Sequence, residues 1–255
     1  VEAVCSDIAL TRSKGLPVVD TVFFGGGTPT RIAPHFIAEI IRALPLSAHP
    51  EVTVECNPDD VTREMMEVFA AAGVNRVSFG VQSMVPRVLD ILGRTHNPDN
   101  VRAGIAAARD AGISSINVDV MYGAAGETVD EWRTTVEQVI SLGVTHVSAY
   151  GLTVEAGTPL ALDPTRFPDD DDQADKYILT DQMLAAAGFD NYEISNWSLP
   201  GHQCRHNKVY WSQGNYHGFG CAAHSHADGR RWWNVRTPER LSLIHISEPT
   251  RQAEI

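Results

Sequence analysis

Five short apolar segments alternate with amphipathic segments between residues 19 and 151, and this alternation constrains the fold more than any other feature of the sequence. The apolar segments, at 19–24, 52–54, 76–79, 116–118 and 146–150, are each followed by glycine or polar residues. The amphipathic segments, at 62–72, 99–111 and 128–142, have helical spacing and a glycine close behind them. Strands that alternate with helices form a parallel sheet, which right-handed crossovers curl toward a barrel. The sequence therefore predicts an α/β fold with five parallel strands and a ligand-binding mouth at their C-terminal ends.

A glycine triplet, Gly25-Gly26-Gly27, ends the first predicted strand and is followed by Thr28-Pro29-Thr30. Without Cβ atoms the backbone can adopt positive φ and approach a small polar ligand closely, and Pro29 favours a helical turn after it. The triplet predicts a ligand-binding turn. A tight connection without a ligand would have the same sequence, so the residues alone leave both interpretations open.

Composition narrows the class of protein. The 255 residues carry a formal net charge of −12, which argues against general nucleic-acid binding. We expect no signal peptide, no transmembrane segment and a cytoplasmic location. The acidic run 169–172 is interpreted as the first turn of a helix rather than a metal site. The four cysteines are far apart in the sequence and suggest no disulfide framework: Cys5, Cys56, Cys204 and Cys221.

Six motifs occur in an order and spacing that together resemble the radical SAM family. They are GGGTPT (25–30), ECNP (55–58), RVSFGVQS (76–83), LGRTH (92–96), NVDVMYG (117–123) and YEISNW (192–197). Within the family, the chain resembles the branch of oxygen-independent coproporphyrinogen III oxidase and the haem chaperones of the HemW type, as far as about Arg240. The resemblance implies a partial (β/α)6 barrel. It also implies a 4Fe-4S cluster and S-adenosylmethionine at the barrel mouth, where cleavage of the sulfonium yields a 5′-deoxyadenosyl radical.

The resemblance also implies which residues contact S-adenosylmethionine. Gly26, Gly27 and Thr28 would face the methionine amino group, because bare backbone carbonyl oxygens can accept hydrogen bonds from it. Glu55 and Gln82 would add polar contacts to the cofactor.

Two further residues complete this set. Arg94, expected on a helix, would pair with the methionine carboxylate through its guanidinium fork. Asp119 would bind the ribose hydroxyls or a second cofactor molecule. The alternatives are ordinary: Glu55 and Asp119 would cap the next helix, and Arg94 would form a surface ion pair.

One departure from the family concerns its metal. Members hold the cluster with three cysteines spaced C-x3-C-x2-C after the first strand, and this motif does not occur in the sequence. We therefore expect no metal site in the chain, and interpret it as an N-terminally truncated barrel lacking its first strand. The predicted domains are a partial barrel at 1–165, an incomplete α/β C-terminal extension over the barrel mouth at 166–241, and a non-native tail at 242–255. A genuine polar terminus is the alternative for the tail.

The segment 206–211 fits the HN-x-x-YW pattern of the haem chaperone branch. His206 is therefore a candidate haem ligand, and Tyr210 and Trp211 are candidates to flank the porphyrin. The alternative is that the imidazole satisfies backbone groups in a loop. His224 is a further haem-binding candidate, in GFGCAAHS (218–225), where the family usually has GFGPGAHS. Cys221 is expected to be a small packed residue.

These observations predict a fragment of a radical SAM haem chaperone that binds haem and passes it to haem-acceptor proteins. One alternative is coproporphyrinogen III oxidase, which converts propionates to vinyl groups. Whether the protein is an enzyme therefore stays open. A second alternative is a conventional barrel enzyme with a phosphate-binding glycine turn. That enzyme would need basic partners beside the turn, where the nearest basic residue is Arg31.

Overall fold

The computed structural model describes residues 1–158, 160–238 and 240–241. The predicted tail at 242–255 lies outside the described residues. The helices are α1 (Glu2–Ser13), α2 (Pro34–Ala43), α3 (Arg63–Ala71), α4 (Pro86–Ile91), α5 (Pro98–Asp110), α6 (Val129–Ser141), α7 (Asp170–Ala186) and α8 (Arg205–Trp211). The strands are β1 (Val19–Phe24), β2 (Leu46–Cys56), β3 (Arg76–Gln82), β4 (Ser115–Tyr122), β5 (His146–Gly151), β6 (Asp190–Asn191), β7 (Asn196–Ser198), β8 (His224–Ala227) and β9 (Arg230–Trp233). Short 3-10 helices lie at Pro29–Arg31, Leu160–Leu162 and Pro164–Arg166.

The predicted α/β fold is confirmed. The larger sheet has seven strands in the order β1-β2-β3-β4-β5-β7-β6. Strands β2, β3, β4 and β5 pair in parallel, whereas β7 is antiparallel to both β5 and β6. All five predicted strands are present in it. Strands β8 and β9 form a separate antiparallel pair.

Several helices begin at side chains that cap the backbone. Thr128 and Glu131 form a capping box at the start of α6, and Asn97 with Asn100 does so at α5. Asp169 accepts a hydrogen bond from the Asp172 amide at the start of α7. The acidic run is therefore the start of a helix, as predicted. Carboxylates there accept hydrogen bonds from free backbone amides and interact favourably with the positive end of the helix dipole.

The chain divides into two compact units. Unit 1 comprises Val1–Phe23, Ala33–Val52 and the described residues from Cys204 onward, and unit 2 comprises Phe24–Ile32 and Thr53–Gln203. In unit 1, helices α1 and α2 are joined by the Arg12 guanidinium, which donates to the Ala43 carbonyl oxygen at 2.8 Å. The boundary predicted at residue 165 stays a prediction.

The core of unit 2 lies between the apolar face of its strands and helices α3 to α7. Alternate strand residues such as Val77, Phe79 and Val118 are fully buried, as are Phe69 on α3 and Trp132 on α6. The Trp132 indole donates to the Thr180 hydroxyl at 2.9 Å, which joins α6 to α7. Burial of this apolar surface is the main stabilisation of the unit.

Among the helices of the described residues, none is long and apolar enough to cross a bilayer.

Candidate functional site

The face of the unit 2 strands opposite the apolar core carries polar side chains. Because side chains alternate along a strand, residues two apart share a face, and the parallel register aligns them across the sheet. One row of partners is Glu55, Ser78, Asn117 and His146, and the next is Gly80, Asp119, Ser148 and Asn196. Most of these side chains are buried, whereas Glu55 and Asp119 remain half-buried. This polar face is the candidate site.

The glycine turn meets this face at Glu55. The Gly26 amide donates to Glu55 Oε2 at 3.0 Å, and Gly26 and Gly27 have φ of 79° and 63°. Those φ values are in the left-handed region, which glycine adopts without steric cost. Burial raises the pKa of Glu55 above its usual value, and the Gly26 bond partly opposes that shift. Thr28 follows in extended conformation as the residue before the Pro29–Arg31 turn.

Asp119 is held by two side-chain donors. The Ser78 hydroxyl donates to Oδ2 at 2.7 Å, and the Asn117 amide donates to Oδ1 at 2.8 Å. Burial raises the pKa of Asp119, and these hydrogen bonds work against the rise. In the described part of the chain neither Asp119 nor Glu55 forms a salt bridge. Neither carboxylate caps a helix, because α3 and α6 are capped by Thr62 and Thr128. The helix-cap alternative is therefore wrong for both.

A chain of hydrogen bonds through His146 to Tyr192 orients the Asn117 side chain. Its Oδ1 lies 2.6 Å from His146 Nδ1, and His146 Nε2 lies 2.8 Å from the Tyr192 hydroxyl. Burial lowers the pKa of His146 well below its usual value, so the ring is neutral at neutral pH. Because Oδ1 can only accept, Nδ1 carries the proton and Nε2 accepts from Tyr192. Sequence reasoning missed this chain of hydrogen bonds, although the polar and apolar alternation in SINVDV (115–120) could have indicated a polar face.

Gln82 lies at the C-terminal end of β3, where the pairing with β4 shifts register between Gly80 and Gln82. Its φ is 63°, in the left-handed region that residues other than glycine rarely adopt. Strained backbone of this kind clusters at ligand sites, and a bulge re-aims the side chain.

The structure corrects the expectation for Arg94. Helix α4 ends at Ile91, and Gly93, with φ of 67°, turns the chain before Arg94. Arg94 therefore lies in an exposed loop rather than on a helix. Its side chain makes no hydrogen bond or ion pair to another described residue. The alternative for Arg94, a surface ion pair, is therefore also wrong within the described residues. Arg87 does form such a pair and donates to Glu131 at 2.7 and 2.5 Å.

The haem candidates lie in unit 1. His206, in the first turn of α8, has Nδ1 2.8 Å from Thr21 Oγ1 and Nε2 2.8 Å from the Tyr210 hydroxyl. The Phe23 ring stacks on the imidazole with centroids 5.4 Å apart. Burial lowers the pKa of His206, while the Glu51 carboxylate partly opposes that shift. The His206 ring nitrogens contact hydroxyl groups rather than backbone groups. The alternative, that the imidazole satisfies backbone groups in a loop, is therefore wrong.

The remaining candidates are exposed. Trp211 is 53% exposed and Tyr210 is 47% exposed. His224, also exposed, begins β8, with its ring centroid 5.9 Å from that of Trp233. Cys221 is exposed rather than packed, which corrects that expectation. Ala222, where the resembled pattern has glycine, has φ of 57°.

Residues 7–139 match the Radical SAM superfamily. The chain belongs to this superfamily. It is 41% identical over 251 residues to the heme chaperone HemW of Mycobacterium tuberculosis (strain CDC 1551 / Oshkosh), with 95% of this chain aligned to 64% of that protein. It is 40% identical over 258 residues to the heme chaperone HemW of Escherichia coli K12, covering 98% of this chain and 68% of that protein. The chain thus spans about two thirds of these relatives.

A solved structure with the same fold is the radical SAM enzyme coproporphyrinogen III oxidase (HemN) of Escherichia coli. It matches 100% of this chain and 63% of its own chain with a TM-score of 0.86 at 19% identity. The predicted resemblance to the HemW and HemN branch of the radical SAM superfamily is confirmed. The superfamily implies S-adenosylmethionine and a 4Fe-4S cluster as cofactors.

The residues present fit these two cofactors differently. Half-buried carboxylates without a cationic partner suit an ammonium group and ribose hydroxyls, so Glu55 and Asp119 fit S-adenosylmethionine. The cluster does not fit this chain. None of the four cysteines forms a disulfide, and in the described residues no group of three His, Cys, Asp or Glu side chains converges as metal ligands do.

Proposed function

We propose that this chain acts within a haem chaperone of the HemW type. Unit 2 binds S-adenosylmethionine, unit 1 binds haem, and the haem passes to haem-acceptor proteins. The observation that carries the proposal is the environment of His206, a half-buried imidazole beside exposed aromatic rings. This environment occurs in a chain 40–41% identical to proteins named heme chaperones.

S-adenosylmethionine is assigned to the polar face and the glycine turn. The methionine amino group lies between the Gly26-Gly27-Thr28 backbone and Glu55, with Gln82 adding a polar contact. Asp119 accepts from the ribose, and Arg94 pairs with the carboxylate. The hydrogen bonds from Ser78 and Asn117 to Asp119 fix the carboxylate before the ligand arrives, which lowers the entropy lost on binding. The cluster contributes nothing to this assignment, because the chain does not offer its ligands.

Haem is assigned to His206 as the iron ligand. Histidine is a common protein ligand of haem iron, and flat aromatic rings pack against porphyrin faces. Tyr210 and Trp211 supply such rings on the same short helix. His224 is a second candidate ligand from the β8 and β9 pair.

The test is a haem titration of the chain and of His206→Ala, followed through the Soret band. We expect one haem per chain. Loss of the iron ligand in His206→Ala should weaken binding by about tenfold or more and shift the band. His35→Ala is the control, because His35 is a histidine of unit 1 that lies on α2 and is exposed, whereas His206 is half-buried. Equal affinity of His206→Ala and the unchanged chain would remove His206 as the ligand.

A second candidate function is coproporphyrinogen III oxidation, which the fold shared with HemN favours. The two functions differ in what the protein recognises. A chaperone binds iron porphyrin through His206, whereas an oxidase recognises the propionates of a metal-free macrocycle. Titration with coproporphyrin III separates them: tighter binding of this metal-free porphyrin than of haem, unaffected by His206→Ala, would favour the oxidase.

The conventional phosphate-binding barrel has less support. Arg31, the basic residue nearest the glycine turn, lies 3.6 Å from the Asp60 carboxylate and is therefore already paired. The superfamily membership also favours the radical SAM hypotheses over this one.

A further inference from the structure

Both ring nitrogens of His206 are occupied by hydroxyl groups. Thr21 Oγ1 lies 2.8 Å from Nδ1, and the Tyr210 hydroxyl lies 2.8 Å from Nε2. The Phe23 ring covers one face of the imidazole, and the Tyr210 ring meets it edge-on with centroids 5.0 Å apart. The imidazole is therefore held by contacts on several sides, and its Nε2 faces the Tyr210 hydroxyl.

The chemistry of the two hydroxyls assigns the proton of the neutral ring. Each hydroxyl can donate or accept, but a phenol, with its pKa near 10, is the more acidic and hence the stronger donor of the two. The consistent arrangement has the Tyr210 O–H donating to Nε2 and the Nδ1–H donating to Thr21 Oγ1. The lone pair that an iron atom would need is then on Nε2, and the Tyr210 proton covers it.

We propose that the Tyr210 hydroxyl is a latch on His206, which occupies the coordination position of Nε2 and has to rotate aside before iron binds there. Thr21 is the positioning residue that keeps the proton on Nδ1 and the lone pair on Nε2. The latch rests on the proposed haem site, and it adds a competition between a phenol and iron for one nitrogen.

The surroundings allow this rotation. Tyr210 is 47% exposed, and its ring contacts Tyr216 edge-on with centroids 4.8 Å apart. His206 stays in place when Tyr210 moves, because Glu51 accepts from the backbone amides of Arg205 and His206 at 2.9 Å each. The phenol can thus leave Nε2 without a change at the start of α8.

The decisive variant is Tyr210→Phe, which keeps the ring and removes only the hydroxyl. We expect haem to bind about three- to tenfold more tightly, the worth of one neutral hydrogen bond that no longer has to be broken. Tyr216→Phe removes a phenol from the adjacent ring, which has no bond to His206, and should leave haem affinity unchanged. Thr21→Val should weaken binding, because Nδ1–H loses its acceptor. Haem affinity that is unchanged or weaker in Tyr210→Phe would overturn the latch.

A measurement without haem separates the latch from the ligand assignment. Long-range ¹H–¹⁵N spectra of the free chain report the hydrogen bonding of each imidazole nitrogen. Removal of the phenol in Tyr210→Phe should move the His206 Nε2 resonance toward that of an unbonded acceptor, with Nδ1 unchanged. An unmoved Nε2 resonance would overturn the latch whatever the haem titration gives. Haem binding that survives His206→Ala, with the Nε2 shift observed, would overturn the ligand assignment and with it the competition.

Discussion

Asp119 shows how single residues prepare the candidate site. Its two oxygens accept from Ser78 and Asn117, and Asn117 is itself oriented by His146, which is oriented by Tyr192. An asparagine amide can be turned over, and the bonds from His146 and Ser148 to Asn117 Oδ1, at 2.6 and 3.2 Å, place its oxygen on one side. The Asn117 amide nitrogen then faces Asp119. The direction of the Asp119 carboxylate therefore depends on Ser78 directly and on a chain of side chains that ends at Tyr192.

Arg94 gives a test of the S-adenosylmethionine site at the residue scale. Arg94→Ala should weaken binding of S-adenosylmethionine by about 1.5–3 kcal/mol, the worth of a hydrogen bond between charged groups. Isothermal titration of the chain measures this difference. The expectation depends on Arg94 reaching the methionine carboxylate from its exposed loop.

The control for this variant is Arg133→Ala rather than Arg87→Ala. Arg133 is exposed on α6, and no side-chain bond to it is seen among the described residues. Arg87 would confuse the comparison, because it makes two bonds to Glu131 and holds the pKa of that carboxyl at about 2. Equal losses in Arg94→Ala and Arg133→Ala would place Arg94 outside the site.

The sequence indicated the strand ends that carry the candidate residues, but not the side chains that support those residues. Short motifs named Glu55, Gln82 and Asp119, because each ends a recognisable strand. The bond between Tyr192 and His146 joins residues 46 positions apart, and only the register of the sheet brings them together. Arg94 was expected on a helix because the resemblance to the radical SAM family implies one at LGRTH. Helix α4 is only six residues long, and Gly93 with positive φ ends the turn after it.

Among the elements, length decided what could be predicted. Helices α5 and α6, with 13 residues each, have several turns of apolar periodicity and their own caps. Strands β6 and β7, with two and three residues, are too short for a period to be recognised, and the sequence did not predict them. Helix α8 contains Val209, Tyr210 and Trp211, which have low helix propensity, so local composition gave no indication of it.

A buried lysine on α7 contacts the segment just before α6. Lys176 is 0% exposed, and its ammonium donates to the Glu127 carbonyl oxygen at 2.8 Å and to Asp172 at 2.6 Å. Glu127 Oε2 lies 3.3 Å away, while Oε1 is buried without a hydrogen bond. Burial raises the pKa of Glu127, and Lys176 opposes the rise.

Lys176→Met should therefore destabilise the chain by about 3–5 kcal/mol, because it leaves Glu127 buried and unpaired. Urea unfolding, followed by circular dichroism, measures this loss. The double variant Lys176→Met, Glu127→Leu removes both charges and should recover most of the stability. If the double variant is as unstable as the sum of two single losses, the pair is not coupled, and the cause of the loss is packing of the lysine stem.

At the scale of the whole molecule, the two sets of candidate residues lie in different units. The S-adenosylmethionine candidates all belong to unit 2, and the haem candidates all belong to unit 1. The net charge of −12 gives the whole chain a field that favours cationic ligands, and S-adenosylmethionine carries a sulfonium.

The positions of the cysteines across the whole chain determine whether it can assemble an iron-sulfur cluster. A 4Fe-4S cluster that keeps one iron open for a cofactor needs three convergent thiolates. Cys56 is buried, burial raises the pKa of its thiol, and Cys204 is engaged with Glu51 at 3.6 Å. Raised thiol pKa values disfavour the thiolate that binds metal.

Anaerobic reconstitution of this chain with iron and sulfide should therefore yield well below one cluster per chain. Iron and acid-labile sulfide, assayed after desalting, give the number of clusters bound. Cys56→Ala is the matched control and should leave the iron content unchanged, because a single buried thiol is no part of a cluster site. One cluster per chain that survives desalting, and is lost in a cysteine variant, would show that the scattered thiols converge after all and that the chain holds its own radical SAM centre.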